Sequence, residues 1–325
     1  MTTQDDVGST PVRRGSRVRV ADAAAILATL DENGRLDGLP FMPEMVKWAG
    51  DTLEVSARAD KACDTIEFDG RRRMRAAVHL GGTRCDGSAH GGCQAGCLLF
   101  WKEEWLRPAA DEPSPAEPAD DGALAALSAS TQGVVDGTER FYCQATELRG
   151  ATTPLPWWGP GQFVRDVRSG NIGLLRLGHG LLVWAFNMYQ ALSKRVLPGR
   201  LRLREGRWYP FIFGTSAQTQ PAPPLDLQPG ELVEVKSFEE IRATLDSTGR
   251  NRGLTFDGEM TPYCGRRFRV LRRVERIIDE RTGRMLRLPK DCIVLDGVVC
   301  QGIYHLFCPR AIYPYWREVW LRRIR

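Results

Sequence analysis

The stretch Ala28-Thr-Leu-Asp-Glu-Asn-Gly-Arg35 returns 215 residues later as Ala243-Thr-Leu-Asp-Ser-Thr-Gly-Arg250. Working outward at that one offset, Gly15 falls on Gly230, Val18 on Val233, Val20 on Val235, Phe41 on Phe256, and Glu44-Met45 on Glu259-Met260. Downstream, Asp64 meets Asp279, Cys85 meets Cys300, His90 meets His305 and Cys93 meets Cys308. The two copies close on Trp101/Trp316, Glu103/Glu318 and Trp105/Trp320. Roughly 29 identities over about 92 positions at a single ungapped offset exceed chance, and copies of this kind share one fold.

The duplication orders the rest of the chain. Residues 15–106 form the first repeat and 230–325 the second. Residues 1–14 are expected to be disordered. The Pro-, Ala- and Asp-rich link 107–137 is also expected to be largely disordered, and 215–229 is a shorter Pro-rich link. The middle segment 138–214 has no counterpart in either copy. Its apolar pattern from Gly161 to Val196 predicts a long helix buried in a core, with an interfacial membrane helix as the alternative.

Within each repeat a short alternating strand (Arg17-Val-Arg-Val20; Leu232-Val-Glu-Val235) precedes a helix. Ser237 with Glu240 makes a capping box for the second of these helices. Further alternating strands are predicted at Thr52–Ser56, Arg267–Leu271, Met285–Leu288 and Cys292–Leu295. The Trp-x-x-x-Trp spacing at 101/105 and 316/320 predicts both rings on one face of a helix. The opening Gly-x-x-Val-x-Val strand resembles the first strand of SH3-like barrels. The expected fold is therefore α+β: two homologous, small β-barrel-like domains, SH3-like by that resemblance, joined by a partly helical middle segment.

Composition narrows the function classes. Of 325 residues, 45 are Lys or Arg and 40 Asp or Glu, a net charge of +5 that permits contact with nucleic acid without requiring it. The start of the chain has no apolar run of the secretory kind, and no stretch reads as a transmembrane span. A cytoplasmic location is expected, and the Ala, Arg and Gly content points to a bacterial source. The nine cysteines then sit in a reducing compartment, where clustered thiols serve metals or catalysis rather than disulfides. No Walker A, GxGxxG, HExxH or GxSxG motif is present, so nucleotide-driven and triad-hydrolase chemistry have no support.

The chemistry concentrates in Cys63-Asp64 and in Cys85-Asp-Gly-Ser-Ala-His90-Gly-Gly-Cys93-Gln-Ala-Gly-Cys97. Cys63, Cys85, Cys93 and Cys97 are expected to converge on one metal, with His90 as a ligand or as a hydrogen-bond partner of a thiolate. Cys63 and Cys97 become Ile278 and Ile312 in the second repeat, as two residues facing one site would when that site loses its metal. The all-cysteine set lacks a CxxC knuckle and suits an iron–sulfur cluster, 4Fe–4S or 2Fe–2S; a closed Zn2+ site is the alternative. A second site is expected at Cys292, Cys300, His305 and Cys308. Cys143, His90 and Asp64 are the candidates for a catalytic role. These features point to a metal-dependent biosynthetic enzyme or its accessory subunit, acting on a small molecule or with a protein partner. The alternative is a zinc-stabilised module that binds protein or nucleic acid.

Overall fold

The computed structural model describes residues 12–67, 70–109, 120–156, 159–214 and 224–324. Most of the expected N-terminal disorder, the centre of the first link, most of the second link and the Trp157-Trp158 pair lie outside those residues.

The chain is a mixed α+β structure of antiparallel sheets. In the first repeat five strands lie in the order Leu98–Lys102, Ala77–Arg84, Thr52–Arg58, Arg17–Val20, Leu106–Pro108. In the second, four strands lie in the order Ile293–Leu295, Arg267–Arg273, Leu232–Val235, Leu321–Arg323. The alternation read from Arg17-Val-Arg-Val20 is realised, with Val18 and Val20 buried. The registers repeat at the sequence offset: Arg17 faces Glu54 as Leu232 faces Arg269, and Val18 faces Pro108 as Val233 faces Arg323. Even the bulge recurs, between Val55 and Ala57 and between Val270 and Arg272. The second sheet lacks the outer strand: a single bridge, Ile293 to Trp316, remains where Val78 pairs with Trp101. Pro314 stands where the first repeat has Leu99, and a proline cannot donate to the ladder.

The predicted tryptophan helix is not formed. Trp101 lies on a strand and Trp105 on a 3-10 turn, and both rings converge edge-on over Phe41, with centroids 6.3 and 5.1 Å away. Trp316 and Trp320 do the same over Phe256 at 6.1 and 5.4 Å. Trp105 donates to Thr29 Oγ1 at 3.0 Å and Trp320 to Thr244 Oγ1 at 2.9 Å. Glu103 and Glu318, which lie between the paired tryptophans, pair with Arg58 and Arg273. The capping box at Ser237 and Glu240 opens a helix at Phe238–Ala243.

The link expected to be disordered is ordered from residue 120 on. Asp120 caps a helix, Asp121–Ala129, and Asp136-Gly137, both at positive φ (50° and 71°), turn the hairpin Gln132–Val135/Thr138–Phe141. The long apolar pattern divides at Gly170 into helices Gly161–Arg168 and Leu174–Val196. The second of these is not a core helix: Leu175 is 93% exposed and Leu182 72%, and the residues it buries are Gly180, Gln190 and Ser193. Its exposed apolar residues, Leu174, Leu175, Leu181, Leu182, Met188, Tyr189, Leu192 and Val196, recur at i and i+7 and form one stripe, and that stripe faces away from the rest of the chain. No helix among the described residues is long and apolar enough to cross a membrane.

Between its second and third sheet strands each repeat sends out a hairpin, Lys61–Cys63/Arg71–Arg73 and Arg276–Ile278/Met285–Arg287. Each hairpin packs on the cysteine loop of the other repeat. The Cys63 amide donates to Cys308 Sγ at 3.1 Å, and the Ile278 amide to Cys93 Sγ at 3.4 Å. These two contacts are the same one, seen from either side of a twofold relation. Around them, the Gln94 amide donates to Arg276 O at 3.0 Å, Arg281 to Ile66 O at 2.8 Å, and Arg310 to Cys63 O at 3.2 Å.

Candidate metal centre

The loop that carries the thiols is shaped by its backbone. Cys85 N donates to Cys97 O at 2.9 Å and closes the loop; Cys300 N and Ile312 O do the same at 2.8 Å. Inside it, the amides of His90 and Gly92 converge on Gly87 O, as those of His305 and Phe307 converge on Gly302 O. Gly87 and Gly302 have φ of +75° and +70°, and a Cβ on either would collide with the carbonyl of Cys93 or Cys308. The tight turn pushes the histidine inward, and His90 is buried.

Cys85, Cys93 and Cys97 line one small cavity of about 40 Å³, with Ile278 and Ile312 from the second repeat. The fourth thiol there is Cys143, not Cys63. Gln144 puts it there: its side chain accepts from Phe100 N at 2.8 Å and donates to Phe100 O at 2.9 Å, which fixes the Cys143 segment against strand Leu98–Lys102. The sequence leaves Cys143 open as a further residue of the metal site, a nucleophile or a core residue; it is buried against the first repeat's core and forms one wall of the thiol pocket. Cys63 is carried away by its hairpin to the other repeat's loop, where its Sγ lies 3.0 Å from Cys308 Sγ. The paired exchange of Cys63 and Cys97 for isoleucine thus has a different geometry from the one the sequence suggested. Ile278 faces the first repeat's pocket, and Cys63 faces the second's.

The tightest ligand group in this region is Glu44, Cys85 and His90, whose donor atoms all lie within 4.8 Å of one another. Cys85 Sγ is 3.3 Å from His90 Nε2, and His90 Nδ1 is 3.8 Å from Glu44 Oε1. Glu44 is 7% exposed and His90 1%, yet no well-formed hydrogen bond reaches either carboxylate oxygen or Nδ1; the Cys85 thiol and Glu44's own amide are the polar groups that act on the carboxylate. Burial raises the Glu44 carboxyl, lowers the His90 imidazole to about 4, and pushes the thiols of Cys97 and Cys143 up to about 12 and 11. The Cys85 thiol is raised too, by burial first and by Glu44 next. Near neutral pH the thiols of Cys85, Cys97 and Cys143 therefore hold their protons and the His90 imidazole is neutral. Glu44 was not among the residues singled out from the sequence. The signal was there, since Glu44, Cys85 and His90 recur together as Glu259, Cys300 and His305.

That second triad also has its donor atoms within 4.8 Å of one another, but it is more open. Glu259 accepts from the amides of Gln301 and Tyr304 at 3.0 and 2.7 Å. His305 Nε2 lies 3.6 Å from Asp257, whose hydrogen bond raises the imidazole. Asp257 stands where the first repeat has Met42. Cys292 does not join this group; it packs with Val274 and Val294, and burial pushes its thiol up to about 12.

Asp64 is occupied by structure. Its Oδ1 accepts from the amides of Ile66 and Glu67 at 2.9 and 3.0 Å, and its Oδ2 from Arg149 at 2.9 Å. That is a turn held by a buried carboxylate. Two larger clefts lie elsewhere. One, of about 640 Å³, runs between helix Leu174–Val196 and the second repeat and is lined by Trp184, Trp208, Tyr209, Tyr304 and Arg71. The other, of about 600 Å³, is lined by Arg73, Arg75, Arg165 and Arg168.

Comparison of the chain with protein-family models, with curated proteins and with solved structures gives no match.

Proposed function

We propose that the chain is a metal-binding protein whose first-repeat pocket takes a zinc ion on Glu44, Cys85 and His90. The observation that carries this reading is the trio of buried acceptor atoms beside a thiol that no well-formed hydrogen bond reaches: both Glu44 oxygens and His90 Nδ1. Leaving such atoms unpaired costs about 1–3 kcal/mol each, and more for a charge. A cation at their common centre offsets all of them at once. Carboxylate, thiolate and imidazole are zinc's ordinary donors, and a cysteine of the pocket can complete a tetrahedron.

The cavity's size argues for a role in the fold. At about 40 Å³ it holds an ion or a few waters. Small-molecule sites run to roughly 300 Å³ and above. This supports a metal-stabilised binding module for a protein or nucleic-acid partner over an enzyme that activates substrate on the metal. The strand order, with a 3-10 turn before the last strand of each repeat, supports an SH3-like reading of the two domains.

An iron–sulfur cluster on Cys85, Cys93, Cys97 and Cys143 is the second reading, and one observation favours it. Four unbridged thiols face one pocket, yet the groups within 4.8 Å of one another among the described residues are the two Glu-Cys-His triads. Thiolates around one zinc stand about 3.8 Å apart, and a multi-iron cluster spreads them wider.

Anaerobic purification of the full chain with analysis for zinc, iron and acid-labile sulfide separates the two. Colourless protein with zinc, reduced by about one ion per chain in Glu44→Gln and His90→Ala, supports the first reading. Brown protein with iron and sulfide, lost in Cys93→Ser and Cys143→Ser, supports the second. A chain without metal sinks both.

A further inference from the structure

We propose that Cys63, Cys300, Cys308 and His305 form a second zinc site, built jointly by the two repeats.

The thiols come from both sides of the repeat boundary. Cys63 arrives on the first repeat's hairpin; Cys300, His305 and Cys308 sit on the second repeat's loop. Cys63 Sγ and Cys308 Sγ are 3.0 Å apart and are not bonded to each other. So short an approach is the geometry of two sulfurs that share a proton or an ion, and thiolates sharing a zinc ion stand about 3.8 Å apart, within easy adjustment of this spacing. Cys300 and Cys308 line the same cavity of about 150 Å³. His305 offers a ring nitrogen within 4.8 Å of Cys300 Sγ. The donors stand as two pairs, Cys63 with Cys308 and Cys300 with His305, and an ion drawing the pairs together would have a tetrahedral set of three thiols and an imidazole.

The surroundings fit a thiolate-rich ion. The Cys63 amide donates to Cys308 Sγ at 3.1 Å, the kind of hydrogen bond that steadies a metal-bound sulfur. Arg310, 4% exposed, holds Cys63 O and Thr65 Oγ1 at 3.2 and 2.7 Å, and Lys61 and Arg71 share the cysteines' hairpin. Three thiolates with one zinc carry a net negative charge, and Arg71, which also reaches His305 O, is the cation placed to balance it, since Lys61 and Arg310 are paired with Asp166 and Glu280.

This site does not depend on the first pocket's occupant. It replaces the sequence-based set that included Cys292, keeping Cys300, His305 and Cys308 and taking its fourth ligand from the other repeat.

The test is metal stoichiometry of the full chain after anaerobic purification, in variants that separate the pockets. In a Cys143→Ser, His90→Ala double variant, which disables the first pocket under either reading, about one zinc per chain is expected to remain. Adding Cys63→Ser or Cys308→Ser should remove it. Cobalt loading of the double variant reports the ligands: a thiolate-to-cobalt band that weakens in Cys63→Ser and in Cys300→Ser, with far-UV circular dichroism unchanged, supports the assignment. Retention of the ion in Cys63→Ser overturns it. So does recovery of Cys63 and Cys308 as a disulfide from protein quenched in acid and alkylated at purification, since a bridged pair cannot coordinate. If the double variant binds no metal while the parent chain does, this second site fails and the first reading stands.

Discussion

Thr65 donates a hydrogen bond to Glu280, and the two are each other's counterparts, 215 residues apart. A contact between equivalent positions lies on the axis that relates the two repeats. Beside it, Arg281 reaches the carbonyl of Ile66, again 215 residues away. The two repeats therefore pack as a dimer would, with the cysteine loops reaching across.

Arg310 is the buried bolt of that packing. It bonds Cys63 O and Thr65 Oγ1 and lies 3.6 Å from Glu280. Arg310→Met should remove the hydrogen bonds to Cys63 O and Thr65 Oγ1 and the ion pair with the half-buried Glu280, and lower stability by about 1–3 kcal/mol. A chemical-denaturation midpoint that does not move would show that the inter-repeat contact contributes nothing.

Gly87 and Gly302 should be the least replaceable residues of their loops. Alanine at either would drive its Cβ into the carbonyl of Cys93 or Cys308 and strain a positive φ. Gly87→Ala should cost metal in the first pocket only, and Gly302→Ala in the second only. Elemental analysis of each variant checks this: about one ion per chain should be lost from each, and loss of both ions from either variant would mean that the loops are not independent.

Acid should weaken the fold through His79. Its ring is fully buried, with Nδ1 2.8 Å from Leu99 O, and burial lowers it to about 4. The unfolded chain binds that proton near pH 6.5. Between pH 6.5 and 4 the unfolded state therefore holds more protons than the folded state, and stability falls as pH falls. The total loss is on the order of 3 kcal/mol, complete below pH 4 and absent above 6.5. His79→Gln should flatten denaturation midpoints across that window by about one proton's slope; an unchanged slope would rule out His79 as the source.

Phe41 and Phe256 each hold a tryptophan pair edge-on. Either residue changed to alanine should cost about 3–5 kcal/mol, since each opens a cavity beneath two buried indoles. Similar losses from both, read by thermal unfolding, would be the mark of equivalent cores.

The parts of this structure set by local pattern could be read in the sequence. Arg17-Val-Arg-Val20 alternates and forms a strand, Ser237 and Glu240 form their capping box, and Thr52 and Arg267 open strands where expected. What failed depended on contacts between distant segments. Trp101 and Trp105 have helical spacing, but the ring of Phe41, some sixty residues earlier, decides their geometry. Cys63 was grouped with the thiols nearest to it in the chain, and no local rule tells a hairpin which repeat's loop it will meet. Cys143 had no counterpart to point to it, and the Gln144–Phe100 pairing that aims it is visible only in three dimensions. Glu44 is legible in the sequence by recurrence alone, since Glu44, Cys85 and His90 return together as Glu259, Cys300 and His305.

The crossed hairpins carry an evolutionary consequence. In an assembly of two identical subunits, a substitution in one pocket must appear in both. Here the halves share one polypeptide, and each pocket can drift alone. Ile278 opposite Cys63, Asp257 opposite Met42 and Pro314 opposite Leu99 are such one-sided changes. Joining the halves end to end has freed two once-equivalent cavities to acquire different occupants.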